Sequence, residues 1–280
     1  MKLLIAGTCV AAAVAFPVAA ANPSDLVYRI PNMDNVLVNS NLTYKTVNNH
    51  DLKADLYLPQ NTSSNASLPV IIFVLGDASP EILREAKDWP VFHSYGRLAG
   101  ASGFAGITFN HRSSENFTQL PAVRSDIADL IQFVRTNSTA FSVDKDRICL
   151  WFFSGAGPHL SIAMGTNVSF VRCVVAYYPL LAPGRLSEDA AREFSPIEQL
   201  KRATPHLPPV LLAKAGRDDP RLNALIDDFR NTAGKLGVSL EFLEHPQGRH
   251  AFDIRDDDET SREILRKTMR FIQRYLPENK

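Results

Sequence analysis

The sequence predicts an α/β architecture: a mostly parallel central sheet with helices on both faces and an antiparallel hairpin at its N-terminal end. Three observations carry this. Apolar runs of strand length recur at residues 69–75, 105–110, 147–153, 171–178, 209–215 and 240–243, and a continuous apolar run marks a strand buried on both faces. Between the runs, apolar residues recur at helical spacing. Near the start, Leu42 to Val47 and Leu52 to Leu58 flank the polar turn Asn48-Asn49-His50-Asp51, the pattern of a hairpin. Strands that alternate with helices imply βαβ units, hence a parallel sheet covered on both sides.

In chain order, Lys2, the apolar stretch Leu3 to Val18 and Ala19-Ala20-Ala21 have the layout of a secretory signal peptide over residues 1–21. That leaves residues 22–280 as a single domain. Trp89, His93 and Tyr95 sit where they would pack the entry of the first helix. Val123, Ile127, Leu130, Ile131 and Val134 define one helix, and Leu222, Leu225, Ile226, Phe229, Ala233 and Leu236 another. Ile264, Leu265, Phe271, Ile272 and Tyr275 line the apolar side of a last helix from about 261 to 275. The Pro-rich stretch between Pro179 and Pro209 leaves room for a small cap at about 180–208.

Composition bounds the function. The chain has 280 residues, 45% hydrophobic and 21% charged, enough for one large buried core. Thirty basic residues balance thirty acidic ones; without a basic footprint, nucleic acid is excluded as a main partner. Six N-x-S/T sequons, at Asn41, Asn61, Asn65, Asn116, Asn137 and Asn167, fall in segments expected to be loops or element ends, and they fit a secreted protein. No membrane partner is expected after signal cleavage, and oligomeric state is left open. Once Cys9 is removed with the leader, Cys149 and Cys173 remain, both in apolar strand-like runs; buried thiols are expected, with a disulfide open in an oxidising compartment. Two cysteines make no metal site, and no histidine pair has ligand spacing backed by a carboxylate.

In open α/β sheets functional groups gather at the carboxyl ends of strands. After residues 147–153 comes Ser154-Gly155-Ala156-Gly157, then Pro158 and an apolar helical start at Leu160: a strand, a tight turn and a helix with a serine at the apex. A serine hydroxyl is a weak nucleophile until a base takes its proton, and the base needs an orienting carboxylate. Gly216-Arg217-Asp218-Asp219-Pro220 follows residues 209–215, and Gly248-Arg249-His250-Ala251-Phe252 follows the last strand.

With these three segments in the order Ser, Asp, His, the chain resembles the α/β-hydrolases, nearest to the dienelactone-hydrolase and prolyl-oligopeptidase-like esterase branch, from about Leu42 to Tyr275. The resemblance implies an α/β-hydrolase fold and no cofactor. It implies Ser154 as nucleophile, His250 as general base and then acid, and Asp219 as the orienting carboxylate, with Asp218 as its competitor. The oxyanion donors are expected to be the backbone N–H groups of Gly155 and Asp77, with Gly76 second; the Asp77 carboxylate must then point away from the oxyanion. Gly76 and His159 are candidate pocket residues. Asp253 reads as an exposed carboxylate on the approach to a helix, His245 as a loop histidine and His111 as a structural or surface residue rather than part of the pocket. The expected activity is that of a secreted serine hydrolase cleaving small carboxylic esters through an acyl-enzyme. The family pattern departs at Phe152, where the elbow favours a small residue, and at Leu75, where the family reads histidine. These departures motivate the alternative of a non-catalytic binding protein of the same fold. A peptidase or acyltransferase would use the same triad.

Overall fold

The computed structural model describes residues 25–165, 168–184, 186–202 and 207–276. The expected leader and the Asn167 sequon lie outside them. The hairpin is formed by β1 (Leu37–Val47) and β2 (His50–Leu58), paired Val47 to His50. Its turn is tighter than the four residues expected: Asn48 and Asn49 both take left-handed φ, 51° and 62°. Asparagine tolerates that region, and it matches the strand twist. Asn41 lies inside β1 rather than in a loop, at a register shift between Asn39 and Leu42 with φ 63°. That is the geometry of a bulge.

The remaining strands are β3 (Leu68–Val74), β4 (Ala105–Phe109), β5 (Val143–Phe153), β6 (Val171–Tyr177), β7 (Val210–Ala215) and β8 (Leu240–His245). The sheet order is β1-β2-β4-β3-β5-β6-β7-β8, antiparallel at β1–β2 and β2–β4 and parallel from β4 through β3 to β8. The helices are α1 (Pro80–Leu83), α2 (Pro90–Ala101), α3 (Leu120–Thr136), α4 (Glu188–Phe194), α5 (Pro196–Arg202), α6 (Pro220–Lys235), α7 (Phe252–Arg255) and α8 (Glu259–Tyr275).

Strand alternation divides the core. Ile148, Leu150 and Phe152 of β5 join α3, α5 and α6 on one face, while Cys149, Trp151 and Phe153 join α2 and α8 on the other. The segment assigned to a cap holds the two short helices α4 and α5, and Ile197 and Leu200 of α5 enter the first cluster. Cys149 and Cys173 are paired across β5 and β6, fully buried and unbridged. Both faces being covered leaves the carboxyl ends of the strands as the place where loops meet.

Candidate active site

The turn after β5 is held by backbone contacts. Ser154 has φ 49°, a left-handed conformation that costs a non-glycine residue about 1–2 kcal/mol and must be enforced by its surroundings. From Ser154 to Met164 the chain winds as a 3-10 coil, not the α-helix expected. Such runs are normally three or four residues long. Pro158 explains part of this. It has no N–H to offer the Ser154 carbonyl four residues back, and the Leu180 N–H takes that carbonyl instead at 2.9 Å. The close approach fixes Gly157, where a Cβ would lie 2.3 Å from the Leu180 carbonyl oxygen. Phe152 does not crowd the elbow. Alternation sends its ring into the core with Ala156, Leu160 and Ala163, where it is fully buried.

Ser154 Oγ donates to His250 Nε2 at 2.8 Å, and His250 Nδ1 donates to Asp218 Oδ2 at 2.6 Å. Residues 154, 218 and 250 thus meet at one rim. Asp218, not Asp219, faces the histidine: 7% of its side chain is exposed against 26% for Asp219. Asp219 is the N-cap of α6 instead. It accepts from the Arg221 N–H at 2.8 Å and the Arg221 guanidinium at 2.6 Å, and these bonds lower its carboxyl to about 2. The sequence carried a signal for this, because the residue before a helix-initiating proline is an N-cap position. The Asp219 N–H in turn donates to Asp218 Oδ1 at 2.8 Å, fixing the carboxylate that faces His250. The acid and histidine loops are joined by backbone bonds from Gly216 N–H to His245 O (2.9 Å) and from Arg217 N–H to Gly248 O (2.8 Å). A Cβ on Gly216 would lie 2.3 Å from the Pro246 carbonyl oxygen.

On the other side of Ser154 lies the turn after β3. A Cβ on Gly155 would lie 2.9 Å from the Asp77 nitrogen, and one on Gly76 3.3 Å from Ser154 Cβ. The turn at Gly76 and Asp77 therefore packs directly against the turn at Ser154 and Gly155. The Asp77 carboxylate is drawn aside, accepting the Ser114 N–H at 2.8 Å and the Ser114 hydroxyl. Ser113 and His111 brace the same turn: the Ser113 hydroxyl donates to Ala78 O at 2.6 Å, and His111 Nε2 lies 3.2 Å from Leu75 O. The loop that carries them is pinned by Arg112, which grips the fully buried Asp126 of α3 through its guanidinium and its N–H.

Other residues fall elsewhere than the sequence suggests. His159 is 1% exposed, edge-on to Phe194, with no partner for Nδ1, so it offers a substrate no open face. Burial, with lesser contributions from His111 and Arg124, lowers its imidazole to about 3. His245 is not on a loop but ends β8, buried and 3.1 Å from the Asp258 carboxylate. Asp253, expected on the surface, is buried between Tyr95 and Tyr178, and burial raises its carboxyl. Among the described residues no three His, Cys, Asp or Glu converge as a metal site.

Strand order, crossovers and the serine, histidine and carboxylate at the strand ends define the fold as that of the α/β-hydrolases. The BD-FAE family model matches residues 54–177, which include Asp77 and Ser154. No curated protein matches the chain. Among solved structures it is similar to Est2, a thermophilic esterase from the planctomycete Thermogutta terrifontis. The native form has TM-score 0.69 at 19% identity, covering 90% of this chain and 98% of that one. The propionate-bound form has 0.67 at 19%, covering 89% and 98%. The form phosphorylated by paraoxon has 0.64 at 19%, covering 89% and 96%.

Proposed function

We propose that the protein is a secreted serine hydrolase that cleaves small carboxylic esters through an acyl-enzyme. The observation that carries the reading is the hydrogen-bonded chain Ser154–His250–Asp218. The finer placement in the dienelactone-hydrolase-like branch rests on Gly216 to Asp219 and Gly248 to Phe252. An esterase of this fold is phosphorylated by paraoxon, a reagent class suited to testing an activated hydroxyl here.

In this reading Ser154 Oγ attacks the ester carbonyl carbon while its proton passes to His250 Nε2, and Asp218 stabilises the imidazolium. The carbonyl oxygen becomes an oxyanion in front of the Gly155 and Asp77 N–H groups; the Ser114 clamp keeps the Asp77 carboxylate from opposing that charge. The alcohol departs with the proton from His250. Water then attacks the acyl-enzyme by the same route, with His250 again accepting a proton, and releases the acid and free Ser154. His250 keeps 32% of its side chain exposed, which suits an open site and a short acyl group. Secretion and N-glycosylation belong to the same proposal: Asn41, Asn61, Asn65 and Asn116 are exposed. Asn137 is half-buried, and its side chain donates to Phe133 O.

The test is Ser154→Ala against p-nitrophenyl acetate, propionate and butyrate, with a fluorophosphonate label in parallel. Turnover should fall by roughly 10⁴-fold or more and labelling should vanish. Labelling that persists in the variant removes Ser154 from the chemistry.

A further inference from the structure

We propose that Asp253, acting through Tyr178, is a positioning residue for His250; the proposal rests on the catalytic reading above. Four observations converge on it. Asp253 lies in the first turn of α7, three residues after His250, and is 1% exposed. It accepts the Tyr178 hydroxyl at 2.6 Å and the Tyr95 hydroxyl, from α2, at 2.6 Å. The Tyr178 ring lies against the His250 imidazole, with centroids 4.6 Å apart and planes at 55°. Tyr178 also has φ 39°, a left-handed conformation that a residue with an aromatic side chain adopts only under constraint.

The backbone around Tyr178 shows what that constraint serves. Its N–H donates to Ala213 O of β7 at 2.7 Å, and two residues on, the Leu180 N–H holds the Ser154 carbonyl at 2.9 Å. One short segment therefore fixes the serine turn through its backbone and backs the histidine through a side chain. A ring packed against an imidazole limits where the imidazole can move, and a hydrogen bond at the phenol's far end keeps the tyrosine from swinging away about its χ1. Asp253 holds that end. It needs no contact with substrate, since its oxygens face the two phenols, and its backbone oxygen accepts the Val27 N–H at 2.9 Å. Tyr178 in turn has its hydroxyl engaged away from the reaction centre, so its part is the ring.

This arrangement restricts where His250 Nε2 can sit relative to Ser154 Oγ, so its loss should lower the rate of proton transfer more than the binding of ester. A double-mutant cycle reads that directly. Asp253→Asn replaces one of the two carboxylate oxygens that take the phenols, and Tyr178→Phe removes the hydroxyl while keeping the ring. Each should lower kcat on p-nitrophenyl acetate by about 10-fold with KM within about twofold. Because both act through one bond, the double variant should lose little more than either single. Urea unfolding of each protein identifies any that fails to fold, and Tyr178→Phe, the milder change, carries the test if Asp253→Asn does so. Folded single variants with kcat within about twofold of the parent, or losses that multiply in the double variant, overturn the proposal. Ser154→Ala, run alongside, separates the failures. An active parent with a dead Ser154→Ala and unaffected Asp253→Asn and Tyr178→Phe sinks the positioning role alone, whereas a parent without turnover sinks the catalytic reading and this proposal together.

Discussion

The serine turn after β5 and the acid and histidine loops after β7 and β8 reach the same rim by different physical means. The serine turn is fixed mainly by backbone: a left-handed Ser154, a proline that cannot donate, and two glycines packed against Asp77 and Leu180. The histidine side is also stitched by backbone bonds, but the choice of partner is made by side chains. Asp218 takes His250, Asp219 takes Arg221, Arg249 takes Asp256 at 2.6 Å, and Asp253 takes two tyrosines. Backbone constraint leaves a mark in sequence because few residue types satisfy it. Partner choice among several carboxylates leaves a weaker mark, since each is chemically able to take the others' place.

The sharpest way to break this comparison is to exchange the roles of the two adjacent carboxylates. Asp218→Asn should lower kcat on a p-nitrophenyl ester by about 10⁴-fold, because the amide no longer stabilises the imidazolium or fixes its tautomer. Asp219→Asn keeps an N-cap oxygen for the Arg221 N–H, so kcat should stay within about threefold of the parent. A large loss at Asp219 with a small one at Asp218 would mean that side-chain partnership in this turn is not what the hydrogen bonds indicate.

Gly157→Ala probes the backbone side. The new Cβ would lie 2.3 Å from Leu180 O and 2.7 Å from Leu180 N, both backbone atoms with no rotamer to escape into. A cost of about 3 kcal/mol is expected in urea unfolding. Activity should fall as well, because the displaced Leu180 N–H is the one that holds the Ser154 carbonyl. Unchanged stability and turnover would show that the serine turn is softer than its contacts imply.

The same distinction explains what could be read before any coordinates. The parallel strands were legible because burial on both faces leaves continuous apolar runs, and the hairpin because two asparagines satisfy its turn. Ser154 and its glycine turn were legible for the backbone reason, and His250 from the run Gly248-Arg249-His250-Ala251-Phe252. Asp218 was legible only as the competitor of Asp219, although the Asp219-Pro220 pair carried the signal of a helix cap that frees its neighbour for the histidine. Phe152 raised a steric objection that strand alternation dissolves, since its ring turns into the core. The burial of Asp253 was beyond reach, because it depends on Tyr95, 158 residues away. The 3-10 coil after Ser154 was equally hidden: Pro158 was visible, but the Leu180 N–H that replaces its missing donor was not.

The two histidines near the rim extend the comparison to pH. His250 is partly open to water and faces a carboxylate, whereas His159, on the serine side, is sealed from solvent with an unpartnered Nδ1 and its imidazole lowered to about 3. Between that value and the ordinary 6.5, the unfolded chain binds a proton that the folded protein refuses. Stability from this group is therefore complete above about pH 6.5 and declines as the pH falls toward 3. Between pH 7.5 and 5 the loss should be about 2 kcal/mol, from roughly 1.5 pH units at 1.36 kcal/mol each. Urea unfolding of the parent and His159→Leu at both pH values checks this: the parent should lose about 2 kcal/mol more than the variant over that interval. Parallel pH profiles would mean that His159 gains its proton within the fold as readily as in the unfolded chain.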